Sequence, residues 1–376
     1  MLGNTLKSTI LSVWLIFFAF NSSAIESIAK TALLIDLSTG EILLDKNSNE
    51  RTYPSSMTKI MTALMAFEKI KDGTLSMDQE FLVSKKAWQM GGSKMFIEVD
   101  KKVKVSDLLL GIVVQSGNDA SIAMAEGISG SEDTFAIEMN NLAKKIGLTG
   151  TNFVNSSGWP DDNHYTTAND LAKVAEYTLS NHPELYEMYG ITEFTYSGIK
   201  QDNRNPLLYS FDGADGFKTG HTQAAGYGLV GSAERGDRRL LLVLNGLETS
   251  RARAQESLRL MDWGFNNFQL VDFYQEGDVV IEADTWLGKK DKVKLLSQND
   301  ISISIPKTHI SDIKVDVLVE EPIQTPISIN DQIGIVQIAY ADKKLEYPLI
   351  ASENIGQKGF FSRMTSALYY LILGSN

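Results

Sequence analysis

The sequence predicts an α/β (α+β) body, an antiparallel sheet with helices on both faces, extended by a small all-β domain and a terminal amphipathic helix. Three observations predict it. The body opens and closes on hairpin signatures, and helical apolar periodicity fills the interval between them. After about residue 268 the texture changes to short alternating β-branched runs. Length agrees: 376 residues exceed what one compact domain usually holds, and 43% hydrophobic with 22% charged residues is ordinary for a core-forming chain.

Residues 1–24 read as a secretory signal. Lys7 supplies the positive end, Ile10 to Phe20 the apolar run, and Ser22-Ser23-Ala24 the small residues of a cleavage site. The apolar run is too short for a bilayer, which needs about 20 residues, and a buried core helix seldom begins beside such a pattern. Ala32 to Asp45 is a hairpin turning at Ser38-Thr39-Gly40. From Pro54 to about Lys71, the residues Met57, Ile60, Met61, Leu64, Met65 and Phe67 keep a helical period that stops near Gly73. Helical patterns follow at 106–126, 131–146 and 167–181, with Ser106, Ser131 and Thr167 as N-caps. A second hairpin runs from Tyr227 to Leu244 around Glu234-Arg235-Gly236-Asp237, and 251–267 is helical again.

Beyond it come Val279 to Ile281, Ile301 to Ile305, Ile313 to Val319 and Ile333 to Ile338, separated by turns rich in Gly, Asp, Asn and Pro. The expected units are therefore a body over 25–268, a β-rich domain over 269–354 and a tail over 355–376. In the tail, Phe360, Phe361, Met364, Ala367, Leu368, Leu371 and Ile372 recur at three- and four-residue steps, with Lys358 and Arg363 off the stripe and no acid after Glu353. That is the pattern of a helix lying in a membrane interface, its basic residues meeting anionic headgroups; a terminal helix docked on the protein's own core is the competing reading.

Composition excludes several chemistries. With no cysteine there is no disulfide scaffold, thiol nucleophile, Fe–S cluster or Cys-type zinc site. Lys plus Arg is 35 against 47 Asp plus Glu, a formal charge of −12, which suits nucleic acid poorly. The four histidines, His164, His182, His221 and His309, include no pair with helical zinc-peptidase spacing. A covalent mechanism falls to serine, threonine or lysine.

Three short patterns could carry it. Ser56-Met-Thr-Lys59 puts a hydroxyl and an amine on one helix face; alone it is an ordinary solvated face, and the lysine acts as a base only if its pKa falls. Ser116-Gly-Asn118 lies between two helical runs, where the bland reading is a plain turn. Lys218-Thr-Gly220, followed by His221, lies on a strand, where the bland reading is an edge-strand surface; Lys218 could be a second cation, Thr219 could hold a carboxylate, and Gly220 could let a substrate backbone approach.

Together and in this order the three resemble the S-x-x-K, S-x-N and K-T-G set of penicillin-binding proteins and class A β-lactamases. Within that superfamily the chain is most similar to low-molecular-mass penicillin-binding proteins, the serine-type D-alanyl-D-alanine carboxypeptidases. Pro54 to Thr62, Gly92 to Met95, Ser116 to Ala120, Asn163 to Ala168 and Asp215 to Tyr227 carry the likeness, which covers about 28–268 and continues in layout to the tail. The resemblance implies a DD-peptidase/β-lactamase-like transpeptidase fold and no cofactor or metal. It implies Ser56 as nucleophile, Lys59 as its base, Ser116 as a proton relay, and Asn118 as ligand of the substrate amide. Lys218 would add positive charge; the Ser56 and His221 amides would form the oxyanion hole. Thr219 and Arg253 would grip the terminal carboxylate, with Arg251 competing for that role.

The implied activity is removal of the terminal D-alanine from peptidoglycan pentapeptides, with β-lactams as covalent inhibitors, at the periplasmic face of the bacterial inner membrane. A D,D-endopeptidase acting on crosslinks is the alternative; an idle wall-binding scaffold is a further one. A β-lactamase is disfavoured, because no Glu-x-x-Leu-Asn follows Ser116-Gly-Asn118 to supply a deacylating glutamate.

Overall fold

The computed structural model describes residues 25–362 and 364. The signal-like segment 1–24 and the stripe residues Ala367, Leu368, Leu371 and Ile372 of the tail lie outside the described residues. Among those described, no helix is long and apolar enough to cross a membrane.

A five-stranded antiparallel sheet organises the body, in the order Glu41–Lys46, Thr31–Asp36, Arg238–Leu247, Gly226–Arg235 and Ala214–Thr222. The first hairpin therefore pairs with strands that follow about 200 residues later, and the chain between them folds as a helical layer. Leu240 to Leu244 is an unbroken apolar run because both faces of this inner strand are covered. Leu241 and Val243 face a core shared with the helices Lys59–Lys71, Val105–Val113, Asn118–Ser129, Glu132–Lys145 and Ala168–Asn181. Leu240, Leu242 and Leu244 face Leu260 and Met261 of the helix Ser250–Asn267. Alternation across the strand thus feeds two separate cores.

Local capping decides the helix starts. Ser131 and Thr167 accept the backbone N–H of Thr134 and Asp170, as their side chains predict. Ser106 does not cap: the helix begins at Val105, one residue earlier, and Lys104 occupies the N-cap. The backbone N–H of Ser106 is instead held by the Met77 carbonyl, which sets the helix start from outside the segment.

The C-terminal half is all β. Phe268–Tyr274 pairs with Ile301–Pro306, and a six-stranded sheet runs Lys314–Val319, Gln332–Tyr340, Lys343–Ala351, Lys292–Ser297, Val279–Trp286, Ile323–Gln324. Their inner faces close over an aliphatic core of Val293, Leu295, Ile303, Ile305, Val336 and Ile338. Arg238 ties this half to the body: its guanidinium bonds Asp36 at 2.6 Å, the Phe268 carbonyl at 3.1 Å and the Ser304 hydroxyl at 3.0 Å.

Candidate active site

Pro54 begins a tight turn. Ser55–Thr58 is one turn of 3-10 helix that runs directly into the helix Lys59–Lys71. Ser55 has φ +50°, in the left-handed region a serine adopts only under constraint. Gly158 supplies part of that constraint. It has φ +78°, and a Cβ there would stand 1.8 Å from the Ser55 carbonyl oxygen, so only glycine lets the two loops meet. Thr58 Oγ1 bonds His164 Nε2 at 2.8 Å, a second tie between the same loops. Ser56 is left half-buried, its hydroxyl reachable, while Met57 to Phe67 is buried throughout. The Ser56–Lys59 face is therefore not a solvated one.

Lys59 is fully buried. Its Nζ donates to Ser56 Oγ at 3.1 Å, Asn118 Oδ1 at 2.8 Å and the Ser157 carbonyl at 2.5 Å. Burial, then the Arg204 guanidinium, lower its pKa from 10.5 to about 7, against a pull upward from Asp119 and Glu132. An amine with that pKa exists in both forms near neutrality, which a general base for a hydroxyl requires.

The Ser116-Gly-Asn118 turn lies between the helices Val105–Val113 and Asn118–Ser129. Ser116 is buried with φ +63°, and its hydroxyl has no hydrogen-bond partner among the described residues. Asn118 uses its carbonyl oxygen on Lys59 and donates one amide hydrogen to the Gly91 carbonyl at 2.8 Å. Asp119, next in the chain, collects the backbone N–H groups of Met95 and Phe96, both at 2.9 Å, and thereby folds the Gly92–Met95 segment against the site.

Lys218 and Thr219 sit on Ala214–Thr222, the sheet's edge strand, yet both are buried by the serine turn packed across them. Burial first, then Lys59, Arg204 and Arg253, push the Lys218 pKa well below its ordinary value. Its Nζ donates to the Thr219 carbonyl at 3.2 Å. A Cβ at Gly220 would fall 2.9 Å from the Pro54 carbonyl and 3.1 Å from Met57 Cγ. On that side the missing Cβ lets the serine turn seat on the strand. His221 is exposed and stacks on Tyr227 with ring centres 3.9 Å apart. The Arg253 guanidinium lies 5.6 Å over that Tyr227 ring, its Nε has no partner, and burial followed by Arg204 lowers its pKa to about 10. Arg251 is exposed on the outer side of the same helix, so Arg253 is the arginine aimed at the cleft.

The three motifs thus converge on one cleft. Residues to which sequence reasoning attached no role also build it. Asp119 stands inside a quoted motif and could have been found as an N-terminal helix carboxylate. His164 also stands inside a quoted stretch, Asn163 to Ala168, whereas the Ser157 carbonyl carries no such mark. Nor does Arg204, which reaches Ser93 Oγ at 2.5 Å and raises the positive field at both lysines.

The comparisons agree with this geometry. Residues 19–249 match the D-alanyl-D-alanine carboxypeptidase family and 268–357 match the C-terminal domain of penicillin-binding protein 5. The D-alanyl-D-alanine carboxypeptidase DacC of Escherichia coli is 36% identical over 89% of this chain and 86% of its own. The crystal structure of penicillin-binding protein 5 from Haemophilus influenzae superposes with a TM-score of 0.80 at 36% identity, over 89% of this chain and 99% of that one. Penicillin-binding protein D2 from Listeria monocytogenes, in its ampicillin-bound form, is 31% identical over 63% of this chain and 98% of its own, with a TM-score of 0.59. The family match spans more than half of the chain and the relatives agree with it, so the chain belongs to the peptidase S11 family of D-alanyl-D-alanine carboxypeptidases.

Proposed function

We propose that this carboxypeptidase removes the terminal D-alanine of peptidoglycan pentapeptides through an acyl-enzyme on Ser56. The observation that carries the reading is the Lys59 amine, buried, bonded to Ser56 Oγ and with a pKa of about 7. Lys59 takes the Ser56 proton as Oγ attacks the carbonyl between the two D-alanines. The oxyanion that forms lies against the Ser56 and His221 amides, the latter on an edge strand whose outward N–H groups have no sheet partner. Thr219 and Arg253 hold the substrate carboxylate. The partnerless Ser116 hydroxyl, supported by the Lys218 charge, hands a proton to the departing D-alanine amine as the C–N bond breaks and takes in its place the one Lys59 received from Ser56. Water then cleaves the Ser56 ester. Asn118, with one amide hydrogen still free, binds the amide of the acyl portion.

β-Lactams acylate Ser56 in the same way, a reading supported by the ampicillin-bound Listeria relative. The resulting ester is long-lived for want of a deacylating glutamate. The protein is exported after loss of residues 1–24 and works at the periplasmic face of the membrane. Residues 25–268 are the catalytic unit, 269–354 a β-rich spacer, and 355–376 a peripheral anchor. The test is intact mass after treatment with a labelled penicillin. One adduct mapping to the Ser56 peptide is expected, absent in Ser56→Ala, together with loss of D-alanine release. D-alanine release that survives Ser56→Ala would overturn the reading. Crosslinked muropeptides as substrates separate it from an endopeptidase, and truncation before Gly359 should free the protein from membranes with its activity intact.

A further inference from the structure

Glu132 is a buried carboxylate that none of the hydrolytic steps uses. It opens the helix Glu132–Lys145. Its Oε1 accepts both the backbone N–H of Ser156 at 3.0 Å and the Ser156 hydroxyl at 2.7 Å, and its Oε2 pairs with Lys86 at 2.8 Å. Burial pushes its pKa up, and the bonds from Lys86 and Ser156 more than reverse that, so the group is charged where it holds Ser156.

Ser156 belongs to a turn whose carbonyls serve the reaction. Asn155 Oδ1 gathers the N–H groups of Ser157, Gly158 and Trp159 at 3.2, 2.8 and 3.0 Å, which makes 155–159 one rigid piece. Two successive carbonyls of that piece reach the helix Lys59–Lys71: the Ser156 carbonyl accepts Thr62 Oγ1 and the Ser157 carbonyl accepts Lys59 Nζ, both at 2.5 Å. Lys59 and Thr62 are three residues apart, so one helix face meets both. A turn held together from within still has to be held in place from outside. Glu132 supplies that tie at the peptide just before the two carbonyls.

The placement matters because of what a neutral amine can do. It has two hydrogens and one lone pair. Asn118 Oδ1, at 2.8 Å from Lys59 Nζ, and the Ser157 carbonyl accept hydrogen bonds and cannot donate them. The Asn118 orientation is fixed by its Nδ2, which donates to the Gly91 carbonyl. Both hydrogens of neutral Lys59 are therefore spent on these two atoms, and the lone pair is left for the third neighbour, Ser56 Oγ at 3.1 Å. If the Ser157 carbonyl moves, the lone pair loses its aim while Thr219 and Arg253 stay as they are. We propose that Glu132 is a positioning residue for acylation: by docking the 155–159 turn it sets the Ser157 carbonyl that aims the Lys59 lone pair at Ser56. The proposal rests on Ser56 as nucleophile and Lys59 as its base.

The segment keeps another hold when Glu132 is removed, because Asn140 on the same helix bonds the N–H and the carbonyl of Phe153 at 2.9 and 2.7 Å. Glu132→Ala should therefore fold. The test follows acylation of the full chain by labelled penicillin over a range of concentrations. In Glu132→Ala the limiting rate constant should fall about ten- to hundredfold, while the concentration giving half that rate stays within about twofold of wild type. The end point should remain one adduct per chain, which reports an intact site. Glu132→Gln keeps an oxygen for Ser156 and should acylate within about threefold of wild type. A limiting rate in Glu132→Ala within about twofold of wild type, a Gln variant as slow as the Ala variant, or a loss in adduct stoichiometry instead of rate overturns the positioning role. A wild-type chain that takes up no penicillin at Ser56 overturns the Ser56 reaction itself, and the inference with it.

Discussion

The active-site cleft and the C-terminal β half differ in the charge they bury, although each leaves a buried hydroxyl unpartnered, Ser116 in the cleft and Tyr340 in the β half. In the β half the buried Ser297, Ser304, Thr325 and Gln337 are neutral, and each has a hydrogen-bond partner at 2.7–3.1 Å. The cleft buries Lys59, Lys218 and Arg253 with no carboxylate in contact, and leaves the Ser116 hydroxyl unpartnered. Uncompensated buried charge costs stability. It persists in the cleft because the same burial turns an inert ammonium into a base and leaves donors free for a substrate. The difference separates a unit shaped for reaction from one shaped for packing.

The strongest way to break that contrast is Lys59→Met. It should lower kcat/KM for D-alanine release by about a thousandfold or more, since general-base catalysis is lost. It should not lower thermal stability, because an uncompensated buried amine is replaced by an apolar chain. A Tm drop comparable to that of a core truncation would show Lys59 to be structural. The mirror experiment lies in the β half. Ile338→Ala, at a fully buried position, should cost about 2–5 kcal/mol in denaturant unfolding of that half. Its kcat/KM on a soluble peptide should stay within about twofold of wild type; a larger fall would mean the two halves are energetically coupled at the site.

The pH profile sharpens the comparison with no substitution at all. Below about 7 the Lys59 amine is protonated and cannot act as base, so kcat/KM should fall about tenfold per pH unit below that value. The sign for stability is opposite to that of a salt-bridged lysine. Between about 7 and 10.5 the unfolded chain holds a proton at Lys59 that the folded chain has released, so this group's contribution to stability rises with pH across that window. A rate profile flat from pH 5 to 8 would contradict the assignment. The smallest effect is expected where the halves touch through exposed charge: Lys343→Ala, removing its bond to Glu41, should change unfolding free energy by less than about 1 kcal/mol.

Much of this molecule is legible along the chain. Both hairpins, the helix after Pro54 and the caps at Ser131 and Thr167 declare themselves because periodicity and side-chain-to-backbone bonds act over a few residues. Less legible are Glu80–Leu82 with Lys102–Lys104, and Glu193–Tyr196 with Ile199–Asp202, pairs of strands only three or four residues long, too short for the alternation of Lys-Val-Lys or Glu-Phe-Thr-Tyr to stand out. The helix starts at Val105 and not after a Ser106 cap, since the Met77 carbonyl that sets it lies far upstream.

At the site the same division holds. Residue type and order alone determined which side chains could react: with no cysteine, a serine three residues before a lysine, a Ser-x-Asn turn and a K-T-G strand leave few other chemistries open. Only the tertiary structure decided that Lys59 is buried, that its amine is held by the Ser157 carbonyl and shadowed by Arg204, and that Gly220 packs against the serine turn. Reactivity depends on dielectric and on charges a few ångströms away, and those neighbours come from segments about 60 to 160 residues apart, beyond the reach of any local pattern.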